Sequence, residues 1–284
     1  MIAIGPNMNG LPPLEQSDPR ANQPIRGIIS DLDGVAYRGA RPIPDSVEAF
    51  RIWHARGVPY AFVTNNSTKS SAQFAAKLAG MGIPATAPQV FNTISAVEEL
   101  LRQRWAPGTP LFAIGEAPLL RTLEEAGYRL TGTGAEVVIL GFDSDLSYAK
   151  LRTAVRAALA GATIIATNPD VLTPVHDGYD PCVGVLTAAV TAAVPNAIPI
   201  VVGKPHPFMI EQALAYIGTT RDETVMIGDQ VATDVIAGQR AGLRSVLLAG
   251  DIPFNSVAGV VPDRVISSVL ELVDPVPADE VEVS

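Results

Sequence analysis

Cysteine and positive charge are scarce in this chain of 284 residues, and each scarcity removes a class of protein; aromatic residues are few as well, which suits close packing of helices on a sheet. Cys182 is the single cysteine, so no disulfide forms within the chain and a cysteine-rich metal cluster is excluded. Lys and Arg number 20 against 29 Asp and Glu, a formal net charge of −9. The basic footprint of a nucleic-acid binder is missing, so no nucleic-acid partner is expected. An anionic substrate is still compatible with this balance, provided that backbone N–H groups, a lysine or a metal build its site locally. No apolar run approaches the ~20 residues of a membrane-spanning helix. Met1 to Gln23 has neither the basic start nor the apolar centre of a secretory signal. The expectation is a soluble, cytoplasmic protein with no membrane partner. A Gly-rich P-loop and a fixed-period repeat are also missing.

What is present is apolar and alternating. Apolar residues make up 48% and charged ones 17%, enough to bury a large core. The length suits two modest domains or one large one. Residues 1–24, with five prolines, form an irregular arm. From Ile25 the pattern predicts strands at 25–30 and 58–63, with helices from Asp45 or Ser46 to Arg56 and from Ser70 to Ala79. Ser147, Gly57 and Gly242 are among the start and stop signals. Strands alternating with helices of this length predict parallel βαβ units. Residues 88–181 alternate as a separate series. Residues 182–274 resume the first one, with strands at 200–202, 224–227 and 245–248. The tail 275–284 is acidic. The segments 35–44 and 171–182 are expected as loops, and 84–90 and 171–182 as hinges.

The chemistry begins at Ser30-Asp31-Leu32-Asp33-Gly34-Val35. Side chains two apart on an extended chain point the same way, so Asp31 and Asp33 share one side, roughly 6–7 Å apart by Cα. Like charges that close repel, and a bound cation or a retained proton relieves them. An Asp-Gly turn after a strand is the competing reading of this stretch alone.

Three further strands end in polar clusters: Thr64-Asn65-Asn66, Gly203-Lys204-Pro205, and Gly228-Asp229 through Thr233-Asp234. Each has an ordinary explanation by itself: a capping loop, a surface lysine, acids at a helix start. Parallel α/β sheets, however, place ligands outside the carboxyl ends of their strands. If the four strands share one sheet, the clusters converge into a phosphoryl-transfer site. Asp31, Asp33 and Asp229 supply the hard oxygen ligands that Mg²⁺ prefers. Thr64 and Asn65 donate to phosphate oxygens, Lys204 supplies a point charge, and Gly34 lets the backbone approach the phosphate.

These four segments, in this order, resemble motifs I to IV of the haloacid dehalogenase (HAD) superfamily. The long insertion between the second and third resembles the C2-type cap of the NagD / 4-nitrophenylphosphatase-like branch, as do Thr167-Asn168-Pro169-Asp170 and Gly141-Phe142-Asp143. The resemblance implies a Rossmann-like parallel-sheet α/β core (25–87 and 182–274) with an inserted α/β cap domain (88–181). It implies Asp31 as a nucleophile forming an aspartyl-phosphate, and Asp33 as general acid and then base. Mg²⁺ would be held by Asp31, the Asp33 backbone carbonyl and Asp229, with Asp234 orienting a metal water or Lys204. Thr64, Asn65 and Lys204 would hold the phosphate. Asn66, Asn168 and His176 are candidate substrate contacts. Cys182-Val183-Gly184 departs from the glycine pair expected after Pro181. Asp33 argues against a dehalogenase, since those relatives lack the second acid of this motif.

The expected activity is therefore Mg²⁺-dependent hydrolysis of a small phosphorylated metabolite. A phosphate-binding regulatory protein with vestigial hydrolysis and a phosphomutase on the same chemistry are the rival readings. A homodimer through the cap is a further expectation.

Overall fold

A computed structural model describes residues 24–175, 178–250 and 256–273. The arm before Pro24, the acidic tail and His176 lie outside the described residues.

The first unit runs β1 (Gly27–Ser30), β2 (Tyr37–Arg38), β3 (Arg41–Pro42), α1 (Pro44–Ala55), β4 (Tyr60–Thr64), α2 (Ser71–Gly80), β5 (Val90–Asn92) and α3 (Thr93–Arg104). A second series follows: β6 (Pro110–Ile114), α4 (Ala117–Glu125), β7 (Arg129–Leu130), β8 (Val137–Leu140), α5 (Tyr148–Leu159), β9 (Thr163–Ala166), β10 (Leu172–Val175) and β11 (Gly178–Pro181). The chain closes with α6 (Val183–Thr191), β12 (Ile200–Val201), α7 (Phe208–Ile217), β13 (Thr224–Gly228), α8 (Ile236–Arg240), β14 (Arg244–Leu248) and β15 (Arg264–Ile266).

The helix starts follow local chemistry. Ser70 and Gln73 form a reciprocal capping box at α2, and Asn92 accepts from Ser95 N at the start of α3. Ser147 accepts from Lys150 N at α5. Pro44 sits in the first turn of α1, where its missing N–H costs nothing. Gly218, in the left-handed region at φ 72°, stops α7.

β1, β4, β13 and β14 are buried at every residue, as expected of strands covered on both faces of a parallel sheet. They form a six-stranded sheet in the order β15-β14-β13-β1-β4-β5, with every pair parallel. The chain leaves β1 toward β4 on one side and returns to β13 on the other. The strand order thus reverses beside β1, and a crevice opens at the carboxyl ends of β1, β4 and β13. A second parallel sheet has the order β12-β9-β8-β6-β7. One continuous apolar cluster joins the two sheets, running from Ile29, Val63 and Met226 to Leu111, Val137 and Ile165. No helix among the described residues is long and apolar enough to cross a membrane.

The sheets divide the chain differently from the sequence pattern at two strands. Val90–Asn92, beyond the expected boundary at 87/88, pairs with β4 in the large sheet. Ile200–Val201, expected with the closing series because Lys204 follows it, pairs with β9 in the second sheet. Strands of two or three residues carry no periodicity from which a partner could be inferred. The expected loops at 35–44 and 171–182 contain the hairpins β2/β3 and β10/β11. Gly39, at φ 61°, turns the first of these.

Candidate active site

β1 delivers Asp31 to the centre of the crevice. Its N–H donates to Ile227 O at 2.8 Å, so the parallel pairing with β13 carries one residue past the strand. Asp31 is buried, whereas Asp33, two residues on, opens to solvent. Gly34 then takes φ +87°, and a Cβ there would sit 2.0 Å from Asp229 Oδ2. The glycine is thus what lets the Asp229 carboxylate close on the Asp31–Gly34 loop.

Lys204 ties the strand ends together. Its Nζ donates to Asp31 Oδ1 at 2.5 Å and to Asp234 Oδ1 at 2.6 Å, with Val63 O at 3.5 Å. Lys204 and Asp234 are almost wholly buried. Burial alone would lower the lysine's pKa, but Asp234 and Asp31 more than offset it, and the ammonium is held above its usual value. Burial pushes the Asp31 carboxyl well above the usual range, with Lys204 pulling the other way and Asp234 and Asp229 adding to the rise.

Asp234 stands in a π-helical turn, Val231–Val235, where a plain helix was expected. Its second oxygen accepts from Gln230 N at 3.0 Å, so both carboxylate oxygens are engaged. Gly228 allows this turn to pack on β13, since a Cβ there would lie 2.0 Å from Asp234 Cβ. Asp229 differs. Its Oδ1 is buried and has no hydrogen-bond partner among the described residues. Burial, followed by the Asp234 charge, pushes its pKa up to about 7. Oxygens of Asp31, Asp229 and Asp234 lie within 4.8 Å of one another. A buried oxygen lacking a partner, beside two more carboxylates, fits a hard divalent cation.

Two partners of Asp33 were not singled out in the sequence. Tyr37 Oη donates to Asp33 Oδ2 at 3.3 Å, and Lys77 Nζ lies 3.3 Å from the centroid of the Tyr37 ring. Crowding by protein raises the Asp33 pKa, while Lys77 and the Tyr37 hydroxyl oppose the rise. Tyr37 comes four residues after Asp33, and the tight turn that brings it back, with Ala36 N and Tyr37 N donating to Leu32 O and Gly34 N to Tyr37 O, leaves no periodic trace.

Thr64, Asn65 and Asn66 end β4 as expected, but they do different things. Thr64 is buried, and its Oγ1 accepts from Asn66 N at 3.2 Å. Its hydroxyl hydrogen makes no hydrogen bond among the described residues and is available to a phosphate oxygen. The Asn65 amide is taken up by the Lys204 main chain and by Asp170. Its Oδ1 accepts from Lys204 N at 2.7 Å, and its Nδ2 donates to Lys204 O at 2.9 Å and to Asp170 Oδ2 at 3.1 Å. With these groups engaged, the side chain has nothing left for a phosphate. Asn66 Oδ1 caps the local turn, accepting from Thr68 N and Oγ1. Asn168 is buried and donates to Asn65 O at 2.8 Å. Asn66 and Asn168, expected as substrate contacts, are thus engaged in holding loops.

Both sheets contribute to this region. Besides the Asn65–Asp170 and Asn168–Asn65 contacts, Phe142 N donates to Ser67 Oγ at 3.3 Å, joining the end of β8 to the loop after β4.

Residues 28–129 match the family model of haloacid dehalogenase-like hydrolases, and residues 201–272 match an HAD-hydrolase-like model. The chain is 38% identical over 223 residues to the 5'-nucleotidase YutF of Bacillus subtilis, covering 78% of this chain and 86% of the relative. It is 34% identical over 249 residues to a dihydroxyacetone phosphatase of Corynebacterium glutamicum, covering 87% and 90% respectively. Among solved structures, a double mutant of the thermostable NPPase from Geobacillus stearothermophilus superposes with a TM-score of 0.79 at 34% identity, covering 86% of this chain and 96% of that one.

Proposed function

The chain belongs to the haloacid dehalogenase-like hydrolases, in the NagD-like branch, and from that premise we propose that it hydrolyses a small phosphate monoester by way of a phosphoryl group carried on Asp31. It is a phosphoric monoester hydrolase, and its finer mechanism is read from the crevice. The observation that carries the reading is the buried Lys204 bridging Asp31 and Asp234, beside the unpartnered oxygen of Asp229.

Asp31 accepts Lys204 through Oδ1, which leaves Oδ2 as the attacking oxygen. That oxygen forms a bond to phosphorus as the bond from phosphorus to the ester oxygen breaks. The leaving oxygen takes the proton of Asp33, whose raised pKa keeps it protonated to higher pH than an ordinary aspartic acid. A water then gives its proton back to Asp33 and bonds to phosphorus. The bond to Asp31 breaks, and inorganic phosphate leaves. Lys204 balances the charge on Asp31 and on the phosphoryl oxygens, and Thr64 donates its hydroxyl to one of them. Asp31, Asp229 and the Asp33 backbone carbonyl would hold Mg²⁺, which supplies further positive charge to the phosphoryl oxygens.

The second sheet acts as the cap, and the substrate lies between it and the ends of β1 and β4. Support comes from the contacts of Phe142 and Asp170 with the loop after β4. The substrate is a small phosphorylated metabolite, with nucleoside monophosphates, triose phosphates and sugar phosphates as the classes to examine. The test is phosphate release from 4-nitrophenyl phosphate and from a panel of those classes, with Mg²⁺ and with chelator. Mg²⁺-dependent release of inorganic phosphate is expected. Binding of phosphate esters with no release, or release undiminished by chelator, would overturn the reading.

A further inference from the structure

Lys204 stands in a loop that regular hydrogen bonding does not fix. It follows β12 by three residues and precedes Pro205, which has no N–H to donate. Something else must set the direction of its side chain. The direction of a Cα–Cβ bond follows from the orientation of the flanking peptide groups, and here one side chain grips both.

That side chain is Asn65. Its Oδ1 takes the Lys204 N–H at 2.7 Å, and its Nδ2 reaches the Lys204 carbonyl at 2.9 Å. The assignment of oxygen and nitrogen is dictated chemically, because an N–H only donates and a carbonyl only accepts. Gly203 makes room for the grip. A Cβ at that position would lie 2.7 Å from Asn65 Oδ1 and 2.5 Å from Thr167 O.

The Asn65 amide is itself held from the other end. Its Nδ2 also donates to Asp170 Oδ2 at 3.1 Å and Oδ1 at 3.3 Å. Asp170 lies four residues past β9, in the second sheet's connection, and its N–H is fixed by Asn168 Oδ1 at 3.1 Å. Asn168 in turn donates to Asn65 O, closing a ring of polar contacts between the two loops.

We propose that Asp170 is a positioning residue that locks the Asn65 amide in the rotamer gripping the Lys204 main chain, and so aims Lys204 Nζ between Asp31 and Asp234. Asn65 then acts on catalysis through Lys204 and not by touching the phosphate. This rests on the reading of Lys204 as countercharge to Asp31 and the phosphoryl group. The lock is contributed by the second sheet's connection, so an element outside the four strand-end motifs sets the geometry of one of them.

The test is a double-mutant cycle on 4-nitrophenyl phosphate hydrolysis with Asp170→Ala, Asn65→Ala and the pair, plus Asp170→Asn. Asp170→Ala is expected to lower kcat about tenfold with KM within about twofold, since orientation and not substrate binding is lost. In the Asn65→Ala background the same substitution should change kcat less than about twofold, because the partner it acts through is gone. Asp170→Asn, whose amide oxygen still accepts from Asn65 Nδ2, should retain kcat within about threefold of wild type. Should Asp170→Ala fail to fold, Asp170→Ser, too short to reach Asn65, takes its place in the cycle.

Additive losses across the cycle, an unchanged kcat in Asp170→Ala, or a loss confined to KM in Asn65→Ala would overturn the proposal. Its failure is separable from failure of the phosphatase reading. The cycle presupposes wild-type turnover, whereas the broader reading falls only if wild type releases no phosphate.

Discussion

Replacing Lys204 by Met removes the one cation among the described residues that pairs with both Asp31 and Asp234, at nearly the same side-chain length. The ammonium is 3% exposed in its side chain, Asp31 10% and Asp234 1%, so the network belongs to the buried regime and surface screening does not apply. Breaking a buried pair from one side costs about 3–5 kcal/mol, because a charge is left uncompensated. Here two carboxylates lose their partner at once, and the expected loss lies at the upper end of that range.

The loss has a pH signature. The Lys204 pKa is raised in the fold, so its ammonium is protonated in both folded and unfolded states below its ordinary value of 10.5, and the pH dependence of the deficit comes from the carboxylates it pairs with. Asp31 is already raised above its ordinary 3.8, and losing Lys204 raises it further. In both proteins the folded state binds more protons than the unfolded state above 3.8, and in the variant it does so up to a higher pH, so the variant's stability falls further as pH rises. The deficit against wild type should be large at pH 8 and smaller at pH 5. Urea unfolding in chelator at both pH values measures it. A deficit under about 1 kcal/mol at pH 8, or one of equal size at the two pH values, would refute the reasoning, because a buried uncompensated charge predicts neither.

Three shorter predictions concern the neighbours of this network. Tyr37→Phe removes a hydrogen bond that lowers the Asp33 pKa, so the alkaline limb of the kcat/KM profile should move to higher pH; a fixed limb or a downward shift contradicts it. With Asp229 pushed up to about 7, a proton competes with the cation, and Mg²⁺ affinity measured by calorimetry should fall about tenfold per pH unit below that value. Gly34→Ala places a Cβ 2.0 Å from Asp229 Oδ2 at φ +87°, and a displaced Asp229 should cost about 10- to 100-fold in kcat with the fold retained by circular dichroism.

The four strand ends were legible because each breaks an apolar run with residues that a buried strand end would otherwise avoid. Once Asp31, Thr64, Lys204 and Asp229 are seen to follow alternating strands, the parallel-sheet rule brings them together, and β1, β4 and β13 are neighbours in the sheet. Lys204 is the exception that shows the rule's limit. It reaches Asp31, yet the short strand before it pairs with β9 in the other sheet. Sequence order carries no information about which sheet a two-residue strand will join.

Side-chain direction was less legible still. An asparagine at a strand end offers donors and an acceptor to whatever is near, and the pattern could not show that Lys204 and Asp170 would claim them. Tyr37 carries no signal of its own, and Asp170 stands out only as the end of the branch-like Thr167–Asp170 stretch, with nothing in it to name Asn65 as its partner. Their partners, Asp33 and Asn65, become neighbours only after a tight turn or a long connection has folded back. The π-helical turn at Val231–Val235 is likewise invisible to helical periodicity, although it sets the Asp234 carboxylate beside Lys204.

The central claim is that Asp31 itself carries the phosphoryl group. The most direct measurement is rapid acid quenching of the enzyme during turnover of 4-nitrophenyl phosphate with Mg²⁺, followed by mass spectrometry of the peptide containing Asp31. A phosphoryl adduct on Asp31 is predicted in the wild type, with adduct and phosphate release both lost in Asp31→Asn. Full turnover by Asp31→Asn, or an adduct on a different residue, would contradict the account.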